Sequence, residues 1–260
     1  MTEWNAAEYS RISSLQAAMA EEVLALLDLK GTERVLDVGC GNGKTTAEIA
    51  ARVPLGSVVG VDASKEMIAF AATHAAQHPK LQFAVADARH LPYREEFDLA
   101  VSFNALHWIP EQDQALQSIR TAIKPGGLAQ LRLVGKGERK SLEDVLEETR
   151  FSSRWNRYFQ GFRKPYLHLT AEQYRKLAEQ NGFVAGRVQV AAKAWDFVSR
   201  SAFLAFGLVT FVEWTQHLPE ADRVAFATDV LDRYQTVAAD SPGEEHFFRF
   251  YQMDVLLTAS

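Results

Sequence analysis

The sequence predicts an α/β protein built on an open, mostly parallel sheet with a helical lid, and three observations carry that prediction. Short β-rich runs alternate with helix-length segments through the first half of the chain. The first run ends in alternating glycines and the second in an acid, as strand ends do at the ligand-binding edge of such a sheet. Segments of about ten helical residues between the runs provide the crossovers that parallel strands require.

The elements follow in order. Arg34–Val38, Ser57–Asp62, Leu81–Val85 and Phe97–Ser102 read as four strands, and Leu128–Val134 as a fifth after the turn Lys124-Pro125-Gly126-Gly127. Helices are expected over Lys44–Arg52, Lys65–Ala76 and Asp113–Ile123. Ahead of the first strand, Ser10–Leu29 places Ile12, Leu15, Met19, Val23, Leu26 and Leu27 on one side of a helix, with Gly31 as its stop. In the second half, Ser141–Phe162 reads as helical and Thr170–Asn181 as a helix capped by Thr170. Phe183–Phe197 holds one or two strands. Ser199–His217 and Glu220–Ala238 are helices split by Leu218-Pro219, and His246–Leu257 is a closing strand.

Composition bounds the function. A hydrophobic fraction of 47% and a charged fraction of 23% describe an ordinary globular chain and exclude disordered and fibrous classes. The net charge of −5 argues against nucleic acid as the main partner. Cys40, the single cysteine, excludes an internal disulfide framework and fits a reducing compartment. Met1–Ser10 carries Glu3, Asn5 and Glu8 without the apolar run of a signal peptide. The apolar stretch Phe203–Val212 is too short to span a bilayer. A cytoplasmic protein with no membrane partner is the expectation.

The strand ends carry the chemistry. The first continues as Asp37-Val38-Gly39-Cys40-Gly41-Asn42-Gly43, and the second ends in Asp62, placed to accept both hydroxyls of a ribose. A dinucleotide fingerprint would need a third glycine where Lys44 stands. A phosphate loop ending in Gly43-Lys44-Thr45 would need its first glycine where Val38 stands. The remaining pattern, D-x-G-x-G-x-G followed by an acid, has no place that demands a phosphate.

VLDVGCGNGKTT, the strand ending in Asp62, the turn Ala86-Asp87-Ala88 and IKPGG at Ile123–Gly127 together resemble a class I S-adenosylmethionine methyltransferase over roughly residues 30–135. The resemblance implies a Rossmann-like, mostly parallel seven-stranded sheet. It implies that Gly39, Gly41 and Gly43 pack under the methionine moiety near Asp37, that Asp62 binds the ribose diol, and that Met67 lies against adenine. Asp87 and Ala88 would receive the adenine amino group, with Cys40, Ala63, Asn104 and Ala105 lining the same cleft. S-adenosyl-L-homocysteine is the implied product, and no metal is expected. Read with this resemblance, residues 1–30 form an N-terminal lid helix and 31–137 the cofactor-binding core. Residues 138–260 complete the sheet and insert a helical lid at about 138–165 and 199–240.

A narrower resemblance joins Trp4, Tyr9 and Gln16 to Ser102–Ile109, and is similar to the carboxyl methyltransferases of trans-aconitate and juvenile hormone acid. It implies carboxyl O-methylation of a small organic acid. C- or N-methylation of another metabolite, or methylation of RNA or protein, stands as the alternative. A carboxylate is ionised at neutral pH, so it needs alignment and no general base. His107 is then a positioning residue or a base, or simply a hydrogen-bonding residue of the turn after the fourth strand. Trp4, His107, Trp108 and Trp155 are placed in the substrate pocket, with packing against neighbouring helices as the plainer role of Trp108 and Trp155. Tyr9 and Gln16 share one helical face from which both reach the cofactor, although Gln16 also reads as an ordinary solvated residue.

Arg150, Arg154 and Arg157 share one face, and no Asp or Glu occurs between Arg150 and Ala171. Three roles fit: a cationic wall for an acidic substrate, a nucleic-acid patch, or an amphipathic helix with its arginines in water.

Overall fold

The computed structural model describes residues 14–75 and 78–260. Trp4, Tyr9 and the side chain of Gln16 lie outside what is described. The elements run α1 (Ser14–Ala25), β1 (Arg34–Val38), α2 (Lys44–Arg52), β2 (Ser57–Asp62), α3 (Lys65–Ala75), β3 (Leu81–Val85) and β4 (Phe97–Phe103). A short 3₁₀ turn (Leu106–Trp108), α4 (Gln112–Ala122) and β5 (Ile123–Val134) follow. The second half contains α5 (Leu142–Arg150), a 3₁₀ turn (Asn156–Tyr158), α6 (Ala171–Gln180), β6 (Phe183–Asp196), α7 (Arg200–Thr210), α8 (Val212–Thr215), α9 (Glu220–Ala238) and β7 (Phe247–Ala259).

The strands form one seven-stranded sheet in the order β3-β2-β1-β4-β5-β7-β6. Neighbours from β3 to β5 are parallel, while β7 runs antiparallel to both β5 and β6. The order reverses between β1 and β4, the position where open α/β sheets bind ligands. Val35, Leu36 and Val38 of β1 and Val58 and Val61 of β2 are essentially sealed from water, as expected of strands covered on both faces.

Several of the predicted segments differ from the structure. The helix expected to reach Leu29, with Gly31 as its stop, ends at Ala25, and Lys124-Pro125-Gly126-Gly127, expected as a turn, lies within β5. The helix expected over Ser141–Phe162 stops at Arg150. Beyond it Ser152 N–H tightens onto the Thr149 carbonyl at 3.0 Å, and a pair of serines competes poorly for helix continuation. The segment Ser199–His217 breaks at Phe211 into α7 and α8. The Thr170 cap forms as read, reciprocated by Gln173 in a capping box.

Two hydrophobic clusters matter for the site. One lies between the sheet and α4 and α6 and includes Leu106, Leu131 and Val255. The other gathers α5 and α7 to α9 around Trp155, Phe203, Trp214, Phe226 and the Phe248–Phe250 end of β7. Leu15 of α1 belongs to this second cluster, whereas Val23 and Leu24 pack on the sheet with Ile49. Arg132 of β5, almost wholly buried, fixes that helix. It makes two bonds to Asp254 on β7, at 2.6 and 3.0 Å, and one to Glu22 of α1 at 3.0 Å. Glu22 also receives Lys193 of β6. Among the described residues, no helix is long and apolar enough to cross a membrane.

Candidate active site

The turn after β1 is closed at one glycine and open at another. Gly39 has φ +75° and Gly41 φ +53°, backbone conformations that disfavour any residue with a side chain. A Cβ at Gly39 would lie 2.2 Å from the Ala105 Cβ, so the ends of β1 and β4 meet only because that atom is missing. A Cβ at Gly41 would meet nothing within 4 Å. The open side of the turn is therefore over Gly41.

The amides of this turn are engaged within the protein. Gly39 and Cys40 donate to the Val61 carbonyl at 2.8 and 3.0 Å, Gly43 to the Cys40 carbonyl at 3.0 Å, and Gly41 to Asp62 Oδ2 at 3.0 Å. A phosphate cradle needs such N–H groups turned toward the ligand. Two carboxylates stand here instead. Asp62 is oriented by Gly41 and by the Ser64 N–H, 2.9 Å from Oδ1. Asp37 is buried and accepts the Thr46 hydroxyl at 2.7 Å. Acids beside an open glycine suit a cationic, hydroxyl-bearing ligand such as an adenosyl sulfonium, and disfavour a polyphosphate.

Burial pushes Asp37 up to about 7, with Thr46 opposing and the Asp62 charge adding to the rise. Between about pH 4 and 7 the folded chain holds a proton that the unfolded chain has lost, so this group's contribution to stability declines as pH rises through that window. Buried His107 and His168 act oppositely below their ordinary range, so the parent's overall profile mixes both signs. The comparison with Asp37→Asn isolates the carboxyl, because an amide oxygen still accepts from Thr46. From pH 6 to 8 the variant should gain about 1–2 kcal/mol on the parent in denaturant unfolding, the free energy of about a tenfold change in proton affinity. A gap independent of pH would overturn the assignment. The Cys40 thiol is likewise pushed up by burial and the two acids, which keeps it protonated and unreactive.

The other predicted residues are positioned around this turn. Met67 is buried, its N–H on the Ser64 hydroxyl at 3.2 Å, and Ala88 packs into the sheet core. Asp87 is gripped by the Arg89 guanidinium at 2.6–3.1 Å, which holds its carboxyl below the usual range. Arg89 continues to Glu111 at 3.1 Å. Asn104, at φ +58°, donates its backbone N–H to the Arg132 carbonyl at 2.7 Å and its side-chain amide to Met19 Sδ at 3.6 Å.

The turn Leu106–Trp108 straddles the two clusters: Leu106 enters the sheet core and Trp108 packs against the helical cluster near Trp214. His107 between them is 3% exposed. Its Nδ1 accepts the Val134 N–H at 3.4 Å, and its carbonyl accepts the Leu167 N–H at 2.9 Å. Burial, aided by His168, pushes it well below the usual histidine range. It is a neutral imidazole whose lone pair faces β5.

Trp155 is 2% exposed inside the helical cluster, against Phe226, with its indole N–H on Asp229 at 2.8 Å. The arginine face is also resolved by its partners. Arg150 is buried and paired with Glu147 at 2.7 Å, unlike the solvated arginine of one of the three expected roles, whereas Arg154 pairs with Asp229 and Arg157 donates to the Tyr158 hydroxyl. Those pairings do not form a cationic wall or a phosphate-reading stripe. Sequence reasoning missed Arg89, Arg132 and His168; an arginine inside the apolar run Leu128–Val134 was the one available signal.

Known proteins share this chain's sequence pattern and fold. Residues 35–127 match a methyltransferase domain family. The trans-aconitate 2-methyltransferase of Deinococcus radiodurans is 29% identical over 95% of this chain and 95% of its own. A malonyl-[acyl-carrier protein] O-methyltransferase of Geobacter sulfurreducens is 35% identical over 53% of each chain. The YcgJ protein of Bacillus subtilis superposes with a TM-score of 0.68 at 18% identity, covering 94% of this chain and 98% of that one, a likeness of fold. The methyltransferase domain over residues 35–127 and the similarity to named methyltransferases support a class I S-adenosylmethionine-dependent methyltransferase. Within that class the chain is similar along nearly its whole length to the Deinococcus radiodurans enzyme, and over about half of it to other trans-aconitate 2-methyltransferases.

Proposed function

We propose that the enzyme methylates a carboxylate oxygen of a small organic acid. The observation that carries this reading is the state of His107. With Nδ1 accepting from Val134, the neutral ring keeps its proton on Nε2 and has no lone pair to offer an acceptor. It is a donor, suited to holding an anionic oxygen and unsuited to removing a proton. A carboxylate needs only that, since it is already ionised at neutral pH. Two similar enzymes are named for trans-aconitate and for malonyl-[acyl-carrier protein], which supports the same reading.

S-adenosylmethionine supplies an electrophilic methyl group on a sulfonium sulfur. In this reading Asp62 takes the ribose hydroxyls, the open face of Gly41 admits the methionine portion, and Asp37 offsets its positive charge. Asp87, already tied to Arg89, accepts the adenine amino group with its remaining acceptor capacity, and Met67 and Ala88 border the base. His107 orients the acceptor oxygen beside Ala105. Helix α1 and the α5 and α7–α9 cluster form a lid that keeps water from solvating the two charges. No metal has a part in these roles, and the cytoplasm is a setting in which Cys40 stays reduced.

A panel of small carboxylic acids, amines and phenols, assayed for transfer of labelled methyl, tests the proposal. The expected product comes from an acid and loses its label in mild alkali, as a methyl ester does. An alkali-stable product from an amine or carbon acceptor would overturn it.

A further inference from the structure

His168 lies in the extended segment 163–170 ahead of α6, and that segment is clamped to the ends of β4 and β5. Leu167 N–H donates to the His107 carbonyl at 2.9 Å, the Gln112 side-chain amide to the Leu167 carbonyl at 2.9 Å, and Lys136 N–H to the Leu169 carbonyl at 2.8 Å. The clamp sets the His168 ring 6.0 Å from His107 and 4.7 Å from Tyr166, between centroids. Its Nε2 is shut off from solvent and has no hydrogen-bond partner among the described residues. The neighbouring Tyr166 hydroxyl is committed to Asp144 at 2.8 Å. Buried polar atoms are almost always paired in folded proteins, and an orphan next to a substrate position is one that a ligand satisfies.

We propose that His168 is a second acceptor-binding residue, whose Nε2 completes with His107 a paired-imidazole site for the anionic group of a small acid. This rests on the carboxylate reading above. The groups facing His168 are Glu143 and Asp144 from α5, Lys164 and Tyr166 from its own segment, and His107 from the turn after β4. Burial and Lys164 hold the ring below the usual histidine range, against the upward pull of the two acids. An anion on Nε2 adds to that pull, so the acceptor binds with uptake of a proton. Its affinity is highest in mild acid and falls as pH rises, while the transfer step is untouched.

Steady-state kinetics from about pH 6 to 8.5, with the best carboxylic acid of the panel, test this. In the parent, KM for the acid should rise several-fold across the range while kcat stays level. His168→Phe should raise KM at pH 6 by about tenfold or more, the scale of one charge-assisted hydrogen bond, with kcat within about threefold and the pH slope gone. His168→Gln restores a donor without a titrating ring, so it should recover much of the KM but not the slope. If the phenylalanine variant fails to bind S-adenosylhomocysteine and so has not folded, the glutamine variant alone decides through its slope. A parent KM that does not vary with pH overturns the proposal, as does a variant that keeps the parental slope. An alkali-labile product with unaltered variant kinetics sinks the role of His168 alone. An alkali-stable product sinks the carboxylate reading and this inference with it.

Discussion

Replacing Asp62 by Ala should weaken S-adenosylhomocysteine binding by about 2–3 kcal/mol, or roughly 30- to 150-fold, measured by titration calorimetry. Part of the loss is direct, since a carboxylate that accepts two ribose hydroxyls makes charge-assisted bonds, stronger than neutral ones. The rest is local. Asp62 also accepts from Gly41 and Ser64, so truncation takes this acceptor from one N–H of the glycine turn and one just after β2. Asp62→Asn separates these contributions, because its amide oxygen still receives one of the two amides but carries no charge. It should fall between the parent and the alanine variant. NAD and ATP should not bind the parent at micromolar concentrations, since the turn's amides are engaged and its side chains are acids. Unchanged affinity in Asp62→Ala, in a variant that melts like the parent, would remove Asp62 from the cofactor site.

The legible parts of the sequence are those whose physics is local. The Val35–Val38 run, the glycines after it and the acid ending β2 each impose a conformation on a few adjacent residues, and each stands where the pattern placed it. The Thr170 cap was equally local. What could not be read depends on contacts across the chain. The surroundings of Trp155 are set by Phe226 and Asp229, some seventy positions later. A solvated role stays open to Arg150 until its partner Glu147 and the Phe151 and Phe162 rings take it out of water. His168 carries no motif at all; its place beside His107 comes from three hydrogen bonds made by its neighbours. The state of His107 was left open in the sequence because it depends on an amide of β5, twenty-seven residues away.

That amide also governs the second large effect, which concerns mechanism. His107→Gln should retain turnover within about a hundredfold of the parent, the lower end of general-base effects. Its side chain reproduces the polarity of the neutral ring, with an oxygen to accept from Val134 and an N–H to present to the acceptor. His107→Leu reproduces neither. It leaves the part-buried Val134 amide without its His107 acceptor, which should cost about 1 kcal/mol of stability in denaturant unfolding, and its turnover should fall well below that of the glutamine variant. The pH profile separates positioning from base catalysis. At saturating acceptor, kcat of both parent and glutamine variant should be level from mildly acidic to mildly alkaline pH. The substrate is ionised throughout, and burial keeps His107 neutral throughout. A base would behave otherwise: its protonation would impose a rising limb on the parent's kcat, and glutamine would abolish both the limb and nearly all activity. That outcome would require the His107 lone pair to leave Val134 and face the acceptor, and proton-removing C- or N-methylation would become the better account of this enzyme.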